Sequence, residues 1–222
     1  MDRATFLARH TASWRQAWTD VGAQAPAGLL ERLCEAYDEP QRHYHSLQHL
    51  DECLVLLGAH RALSERPAEV ALGLWFHDAV YDVRANDNEA RSADWARDAL
   101  VASGAPTEAA ARVHALVMAT RHAQPGAQTP EDPDTRLLLD VDLAILGAPP
   151  DRYAEYERQI RAEYAHVPPE VFEPRRRQLM AGFLARAPLY LTAGIHAARE
   201  TQARRNLAAA VTGIERAPTR RP

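Results

Sequence analysis

Residues 72 to 82, LGLWFHDAVYD, form an apolar stretch that one polar pair, His77 and Asp78, interrupts. A helix that is apolar on all sides is typical of a protein core, so this stretch predicts a buried helix. Burying an imidazole beside a carboxylate is costly unless a partner offsets the lost hydration. A metal ion suits both groups together, so the pair predicts a metal site inside a helical fold.

Two other apolar stretches offer further ligands for such an ion. Adjacent helical positions point about 100° apart, so one helix cannot surround an ion and neighbouring helices must contribute donors. RHYHSLQHL, residues 42 to 50, offers His49 with His45 one turn earlier. LLLDVDLAILG, residues 137 to 147, offers Asp140 and Asp142, of which only one can face a given point.

Apolar residues recur with a spacing of about 3.6 along the whole sequence, and strand-like alternation is scarce, so we predict an all-α helical bundle. Prolines and capping residues support several helix starts, among them Ser46, Pro67 and Thr107. The predicted helices cover residues 3–19, 27–38, 46–62, 67–82, 87–103, 106–122, 134–147, 150–166, 169–186 and 190–214.

The length of 222 residues, with 46% hydrophobic and 25% charged residues, predicts one globular domain over residues 1–222. Residues 123 to 134, AQPGAQTPEDPD, form the longest predicted loop, which we expect to lie over the site because candidate ligands occur on both sides of it. The cysteines, Cys34 and Cys53, lie in apolar helical patterns, and we expect small buried side chains without chemistry.

Charge and composition exclude several classes of function. A net charge of −4 disfavours binding of polymeric nucleic acid, which usually needs a basic face. The sequence has neither an apolar run of about 18 residues nor a secretory signal, so we expect a cytoplasmic protein without a membrane partner. All 26 basic residues counted as Lys or Arg are arginines, which excludes Schiff-base lysine chemistry and a P-loop lysine.

The sequence resembles the HD superfamily of metal-dependent phosphohydrolases in the order of its candidate ligands. These are one histidine, a His-Asp dyad about thirty residues later and a distant aspartate, all on predicted helices. The sequence is also similar to an uncharacterised bacterial branch of this superfamily over roughly residues 40–192. The stretches that carry this similarity are RHYHSLQHL, WFHDAVYD, DNEARSA, LLLDVDLAILG, IRAEYAHVP and FLARAPLYLT.

The resemblance implies an HD-domain helical bundle that binds a divalent metal ion through His49, His77, Asp78 and Asp142, with Asp140 as the alternative last ligand. Mixed His and Asp ligation fits Mn, Mg, Co, Ni, Fe or Zn and does not select among them. The implied activity is hydrolysis of a phosphate ester by a metal-activated water, with a small nucleotide as the substrate class. A homo-oligomer is left open.

Carboxylates near the dyad are candidates for handling the water. Asp78 itself, Asp82 and Glu89 could orient or deprotonate it. The alarmone-hydrolase branch has a glutamate where this sequence has Tyr81, which puts that substrate in doubt. Helix capping for Asp82, and a favourable first-turn charge for Glu89, are the competing interpretations.

A substrate phosphate requires cationic or hydrogen-bonding partners, and we name Arg176, Arg42, His45 and His122 as candidates. A solvated helix face is the alternative for the arginines, whereas His45 could also support a ligand and His122 could bind a second metal. Two other functions remain open for the whole chain. They are a module that senses a nucleotide or metal without turnover, and a di-iron HD oxygenase, which the scarcity of histidines between dyad and final aspartate disfavours.

Overall fold

The computed structural model describes residues 1–122 and 130–213, and these ranges are helical without any strand. The predicted all-α fold is therefore confirmed for this part of the chain. Two short 3-10 helices cover Arg61–Leu63 and Leu143–Gly147. The α-helices of the described ranges are α1 (Arg3–Asp20), α2 (Leu29–Tyr37), α3 (Leu47–His60), α4 (Pro67–Phe76), α5 (Asn88–Ala102), α6 (Thr107–Ala119), α7 (Pro133–Asp142), α8 (Pro150–Glu163), α9 (Pro169–Leu184) and α10 (Ala193–Thr212).

The largest departure from the predicted helices concerns the dyad. The helix predicted over residues 67–82 ends at Phe76, so that prediction is wrong at its C-terminal end. His77 keeps helical backbone angles, but the amide of Ala79 then donates to the Phe76 carbonyl 2.9 Å away, which closes a tight turn. His77 and Asp78 consequently lie in a turn at the end of a buried helix and not within the helix.

The first compact unit spans Met1–Asp142, and α4 is its central helix. Helices α1, α3, α5, α6 and α7 all pack against α4. A Cβ on Gly73 would lie 2.7 Å from Cδ1 of Leu138 and 3.3 Å from Cβ of Leu116, so glycine allows α7 and α6 to approach closely. On the α1 side, the ring centroids of Trp14 and Trp75 are 4.8 Å apart. This packing fixes the end of α4, where the dyad lies.

The second compact unit begins at Leu143 and is described to residue 213. Its 3-10 helix is held by α10, because the side-chain amide of Asn206 donates to the carbonyls of Leu146 and Ala148, each 2.9 Å away. The hydroxyl of Tyr190 donates to the Leu143 carbonyl at 3.0 Å. Prolines open α8 and α9, as expected from the sequence. The expectation of one domain over the whole chain stays a prediction.

Two remaining expectations concern the predicted loop and the membrane. Residues 123–129 of the predicted loop lie outside the described residues, so its expected position over the site stays a prediction. Among the helices described, none combines the length and the apolar character needed to cross a bilayer.

Candidate metal centre

Four buried or half-buried side chains of the first unit converge on one point. They are His49 and Cys53 on α3, His77 in the turn after α4, and Asp142 at the end of α7. One potential ligand atom from each of them lies within 4.8 Å of the others. This His/Cys/His/Asp group could hold a metal ion, and it draws on three segments that are distant in the sequence.

The spacing of the nitrogen and oxygen atoms fits a shared ion. Nε2 of His49 lies 3.0 Å from Nε2 of His77 and 3.2 Å from Oδ1 of Asp142. The same Asp142 oxygen lies 3.5 Å from Nε2 of His77. Two ligands that are each about 2 Å from one ion are separated by about 3 Å, so these distances suit a common ion.

The other ring nitrogen of each histidine already has a neighbour. Nδ1 of His77 donates to the Leu74 carbonyl at 2.7 Å, which leaves Nε2 to face the cluster. Nδ1 of His49 lies 3.7 Å from Sγ of Cys53, one helical turn further along α3. Ligating histidines commonly have their second nitrogen held as that of His77 is, because such a hydrogen bond fixes the tautomer and the ring orientation.

Asp78 brings a further oxygen to the same point. Its Oδ2 lies 3.0 Å from Nε2 of His77 and 3.7 Å from Nε2 of His49. Consecutive positions within a helix diverge, but the turn after Phe76 directs both dyad side chains to one place. The structure therefore brings together all four residues that the sequence proposed as ligands, His49, His77, Asp78 and Asp142.

The cluster is electrostatically suited to a cation. Burial opposes ionisation of Asp142, but the positive charge of His77 and hydrogen bonds from His122 and His49 hold the pKa of Asp142 well below its ordinary value. Burial likewise opposes ionisation of Asp78, yet His77 and His45 lower its pKa. Burial would lower the pKa of His77, but the negative charge of Asp78 raises it well above the ordinary range. Two ionised carboxylates thus attract either a proton or a metal ion to this point.

Asp142, and not Asp140, belongs to the cluster. Within the described ranges, the metal-capable group includes Asp142, whereas Asp140 is buried two positions earlier on α7 and is not a member. The second oxygen of Asp142 lies 2.7 Å from Nε2 of His122. His122 therefore contacts a candidate ligand directly.

His45 and Arg42 lie next to the cluster in different ways. The ring of His45 stacks on Tyr81, with centroids 4.0 Å apart, and lies 6.2 Å from the ring of His49. Arg42 is buried, and its guanidinium donates to the backbone carbonyls of Asp78 and Ala79. Both residues therefore contact the segments that carry the candidate ligands.

The other two carboxylates proposed for handling water have neighbours elsewhere. Asp82 is exposed, and its carboxylate accepts the backbone amide of Arg84 at 2.9 Å, as in a turn cap. Glu89 lies in the first turn of α5, with Oε2 3.9 Å from Nε of Arg121. Neither belongs to the metal-capable group of the described residues.

Arg176 lies in the second unit, where its side chain is 11% exposed. Its guanidinium donates to Oε1 of Glu157 at 2.7 Å and lies 4.9 Å from the centre of the Tyr156 ring. A partnered arginine of this kind contributes to the packing of α9 against α8. Its proposed contact with a substrate phosphate stays a prediction.

The sequence did not lead us to predict the contacts that Cys53 and Tyr37 make with the candidate ligands. Cys53 follows His49 by four positions, and residues four apart share one helix face, so the spacing itself was the available signal. The hydroxyl of Tyr37 accepts the backbone amide of Asp78 at 3.1 Å. No local pattern indicates that contact, because Tyr37 resembles any other apolar residue of α2.

The helical fold and the buried His/Cys/His/Asp group are consistent with an HD-type fold. No protein-family model, curated protein or solved structure matches the chain.

Proposed function

We propose that this chain is a metal-dependent phosphohydrolase of the HD type that acts on a small phosphate ester, with a nucleotide as the expected class. The observation that supports this proposal is the convergence of two imidazoles and two carboxylates from three distant segments on one buried point. Burying four such groups together costs stability unless a cation compensates them. The order of these residues along the chain also resembles the HD ligand set.

His49, His77, Asp78 and Asp142 are the residues that would hold the ion. Mixed imidazole and carboxylate donors suit Mn, Mg, Co, Ni, Fe or Zn and do not choose among them. Cys53 is the competing donor, but its Sγ lies 3.7 Å from Nδ1 and 3.8 Å from Nε2 of His49. Burial raises the pKa of the Cys53 thiol well above its ordinary value, whereas the pKa of the Asp78 carboxyl, despite its burial, is lowered by His77, so we assign the ligand role to Asp78 and a supporting position beside His49 to Cys53.

A divalent ion in this site would lower the pKa of a water molecule and offset negative charge on a phosphoryl group. The side chain of Asp78 is 19% exposed, the largest fraction among the four ligands, so it is the carboxylate best able to orient the attacking water and accept its proton. His122 and His45 can donate hydrogen bonds to phosphoryl oxygens. In the hydrolysis, the water oxygen forms a bond to phosphorus as the ester P–O bond breaks, and the departing oxygen takes up a proton.

The test combines metal content with turnover. Metal-free protein is reloaded separately with each of the six ions and assayed for phosphate release from nucleotide mono-, di- and triphosphates, cyclic dinucleotides and alarmones. We expect release with at least one ion, and its loss in His77→Ala and Asp78→Ala together with the bound metal. His114→Ala is the matched control, since His114 lies on α6 and its Nε2 is 3.3 Å from Oδ1 of Asp94.

Two results would count against the proposal in different ways. If the wild-type protein takes up none of the ions, the proposed metal centre is wrong. Protein that binds metal and a nucleotide, but releases phosphate from none of the esters, would favour the sensing module over the enzyme.

A further inference from the structure

Arg42 binds the turn that carries the dyad. Its side chain is only 1% exposed. One terminal nitrogen donates to the Asp78 carbonyl at 2.5 Å, and the other donates to the Ala79 carbonyl at 3.1 Å. The same guanidinium lies 5.4 Å from the centre of the Tyr37 ring and 5.6 Å from that of Tyr81.

These contacts satisfy backbone groups that the end of α4 leaves without helical partners. The last carbonyls of any helix accept no hydrogen bond within it, and buried carbonyls must find another donor. Because α4 ends at Phe76, the carbonyls of Asp78 and Ala79 lie beyond the helix, and Arg42 provides donors to both. The guanidinium thus provides the hydrogen bonds that backbone amides would provide if the helix continued.

The peptide units on both sides of the Asp78 Cα are held by other segments. The Asp78 amide donates to the Tyr37 hydroxyl at 3.1 Å, while its carbonyl accepts from Arg42. Arg42 also donates to the carbonyl of His45 at 3.4 Å, in the segment that leads into α3 and His49. One buried side chain therefore links the turn bearing His77 and Asp78 to the segment that begins the helix bearing His49.

We propose that Arg42 is a positioning residue, which sets the distance between the dyad and His49, and that it does not bind the substrate phosphate. This inference rests on the proposed metal centre. All three guanidinium nitrogens already donate to protein acceptors, since Nε also bonds to Oε2 of Glu39 at 2.9 Å. The guanidinium is only 1% exposed, so a phosphate could reach it only if the turn that carries Asp78 and Ala79 moved.

Lysine cannot replace this arrangement. A planar guanidinium can serve two adjacent carbonyls while stacking on aromatic rings, whereas an ammonium is a compact point charge without the fork. Arg42→Lys should therefore keep the positive charge and still loosen the turn. Tyr37→Phe removes the hydrogen bond to the Asp78 amide and retains the packing of the ring.

The experiment titrates metal-free protein with Co²⁺ alone and follows both the dissociation constant and the visible absorption spectrum, which reports ligand geometry. We expect Arg42→Ala and Arg42→Lys to weaken Co²⁺ binding about tenfold or more and to change the spectrum, with a smaller change of the same kind in Tyr37→Phe. Arg112→Ala is the matched control. Arg112 also makes two side-chain bonds, to Glu69 at 2.7 and 2.6 Å, but at the opposite end of α4.

The outcomes separate this inference from the proposed function. Wild-type binding of Co²⁺ with unchanged affinity and spectrum in folded Arg42→Lys and Tyr37→Phe would overturn the positioning role alone. The positioning role also fails if Arg42→Lys raises only the substrate concentration needed for turnover, since that result describes a phosphate contact. If Arg42→Ala does not fold, the two conservative variants decide. Failure of the wild-type protein to bind Co²⁺ would overturn both proposals.

Discussion

At the scale of single residues, the orientation of His77 depends on one backbone carbonyl. Nδ1 donates to Leu74 within the last turn of α4, so Nε2 must face His49, Asp78 and Asp142. A metal ion and a proton would compete for that nitrogen, because ligating imidazoles bind metals in the neutral form. The hydrogen bond to Leu74 therefore determines which nitrogen of the His77 ring is available to a metal ion.

Asp142→Asn should lower metal affinity at least tenfold, because an amide lacks the negative charge with which the carboxylate attracts the ion. Asp140→Asn is the matched control on the same helix and should change affinity much less. Competition titration with a metal-binding dye measures both constants. The opposite ranking would transfer the ligand role to Asp140.

Cys53→Ser should leave the bound metal content unchanged, since we assign the sulfur to the side of the His49 ring and not to the ion. Co²⁺-loaded wild-type protein should accordingly show no thiolate-to-cobalt charge-transfer absorption. Such a band in the wild type, and its disappearance in Cys53→Ser, would make Cys53 a ligand in place of Asp78.

The residues that the sequence identified share one property, which is a polar side chain inside an apolar pattern. His49, His77, Asp78 and Asp142 all interrupt apolar stretches of sequence, and the structure brings them together. Tyr37 does not interrupt the pattern, so nothing local distinguishes it from a core residue, and Cys53 is distinguished only by its position one helical turn after His49. The supporting contacts of a site are therefore harder to predict than its ligands.

At the scale of elements, local patterns predicted which helices exist but not where the helix before the dyad ends. The apolar pattern of α4 continues through Val80 and Tyr81. The helix nevertheless ends at Phe76, and the turn after it is held by Arg42, Tyr37 and Ser92, whose hydroxyl accepts the Val80 amide at 3.0 Å. Those partners are distant in the sequence, so only the tertiary fold determines this boundary.

Asp134 connects the start of α7 to the segment before α4. Its carboxylate is buried and accepts the Ser64 hydroxyl at 2.5 Å and the amides of Glu65 and Arg66 at 2.7 and 3.0 Å. Asp134→Ala would leave these donors without an acceptor, so we expect a loss of about 1–3 kcal/mol in unfolding free energy. Urea unfolding measures it.

The control for Asp134 is Asp132→Ala, which removes a cap that is local to α7. Asp132 accepts the Thr135 amide at 2.8 Å and the Thr135 hydroxyl at 2.6 Å. Its loss should cost less, because no contact to the segment before α4 is broken. Equal losses in the two variants would show that the bonds from Asp134 to the segment before α4 add no more stability than a local cap does.

Glu200 couples the stability of the second unit to pH. Burial opposes its ionisation, but the amides of Leu189 and Tyr190, both at 3.1 Å, and the Arg204 side chain lower its pKa below the ordinary value of 4.5. A carboxylate whose pKa is lower in the folded state stabilises the fold fully above about pH 4.5, and this contribution is lost as the pH falls through the lowered pKa.

Glu200→Gln should therefore lower the unfolding free energy near neutral pH and reduce its decline in acid. Urea unfolding at a series of pH values from neutral into acid measures both effects. Glu173→Gln removes an exposed carboxylate on α9 and controls for the change in net charge. An unchanged pH profile in Glu200→Gln would contradict the assignment.

At the scale of the whole molecule, all four proposed ligands lie in the first compact unit, which ends at Asp142. An ion that binds only the folded state adds about 2.7 kcal/mol of stability when its free concentration is a hundred times the dissociation constant. If the chain is the predicted single domain, it unfolds in one cooperative transition. For a chain of this length, that added stability should raise the melting temperature by several degrees.

Scanning calorimetry of the metal-free and metal-loaded protein tests this coupling. We expect one transition that moves upward with metal in the wild type and stays in place in His77→Ala, because that variant loses a ligand while keeping the rest of the core. His114→Ala should move as the wild type does. Two transitions, of which metal shifts only one, would show that the second unit unfolds independently and would replace the single domain with two. If elemental analysis shows that the protein is loaded but the metal does not change the melting temperature, the ion binds outside the folded core.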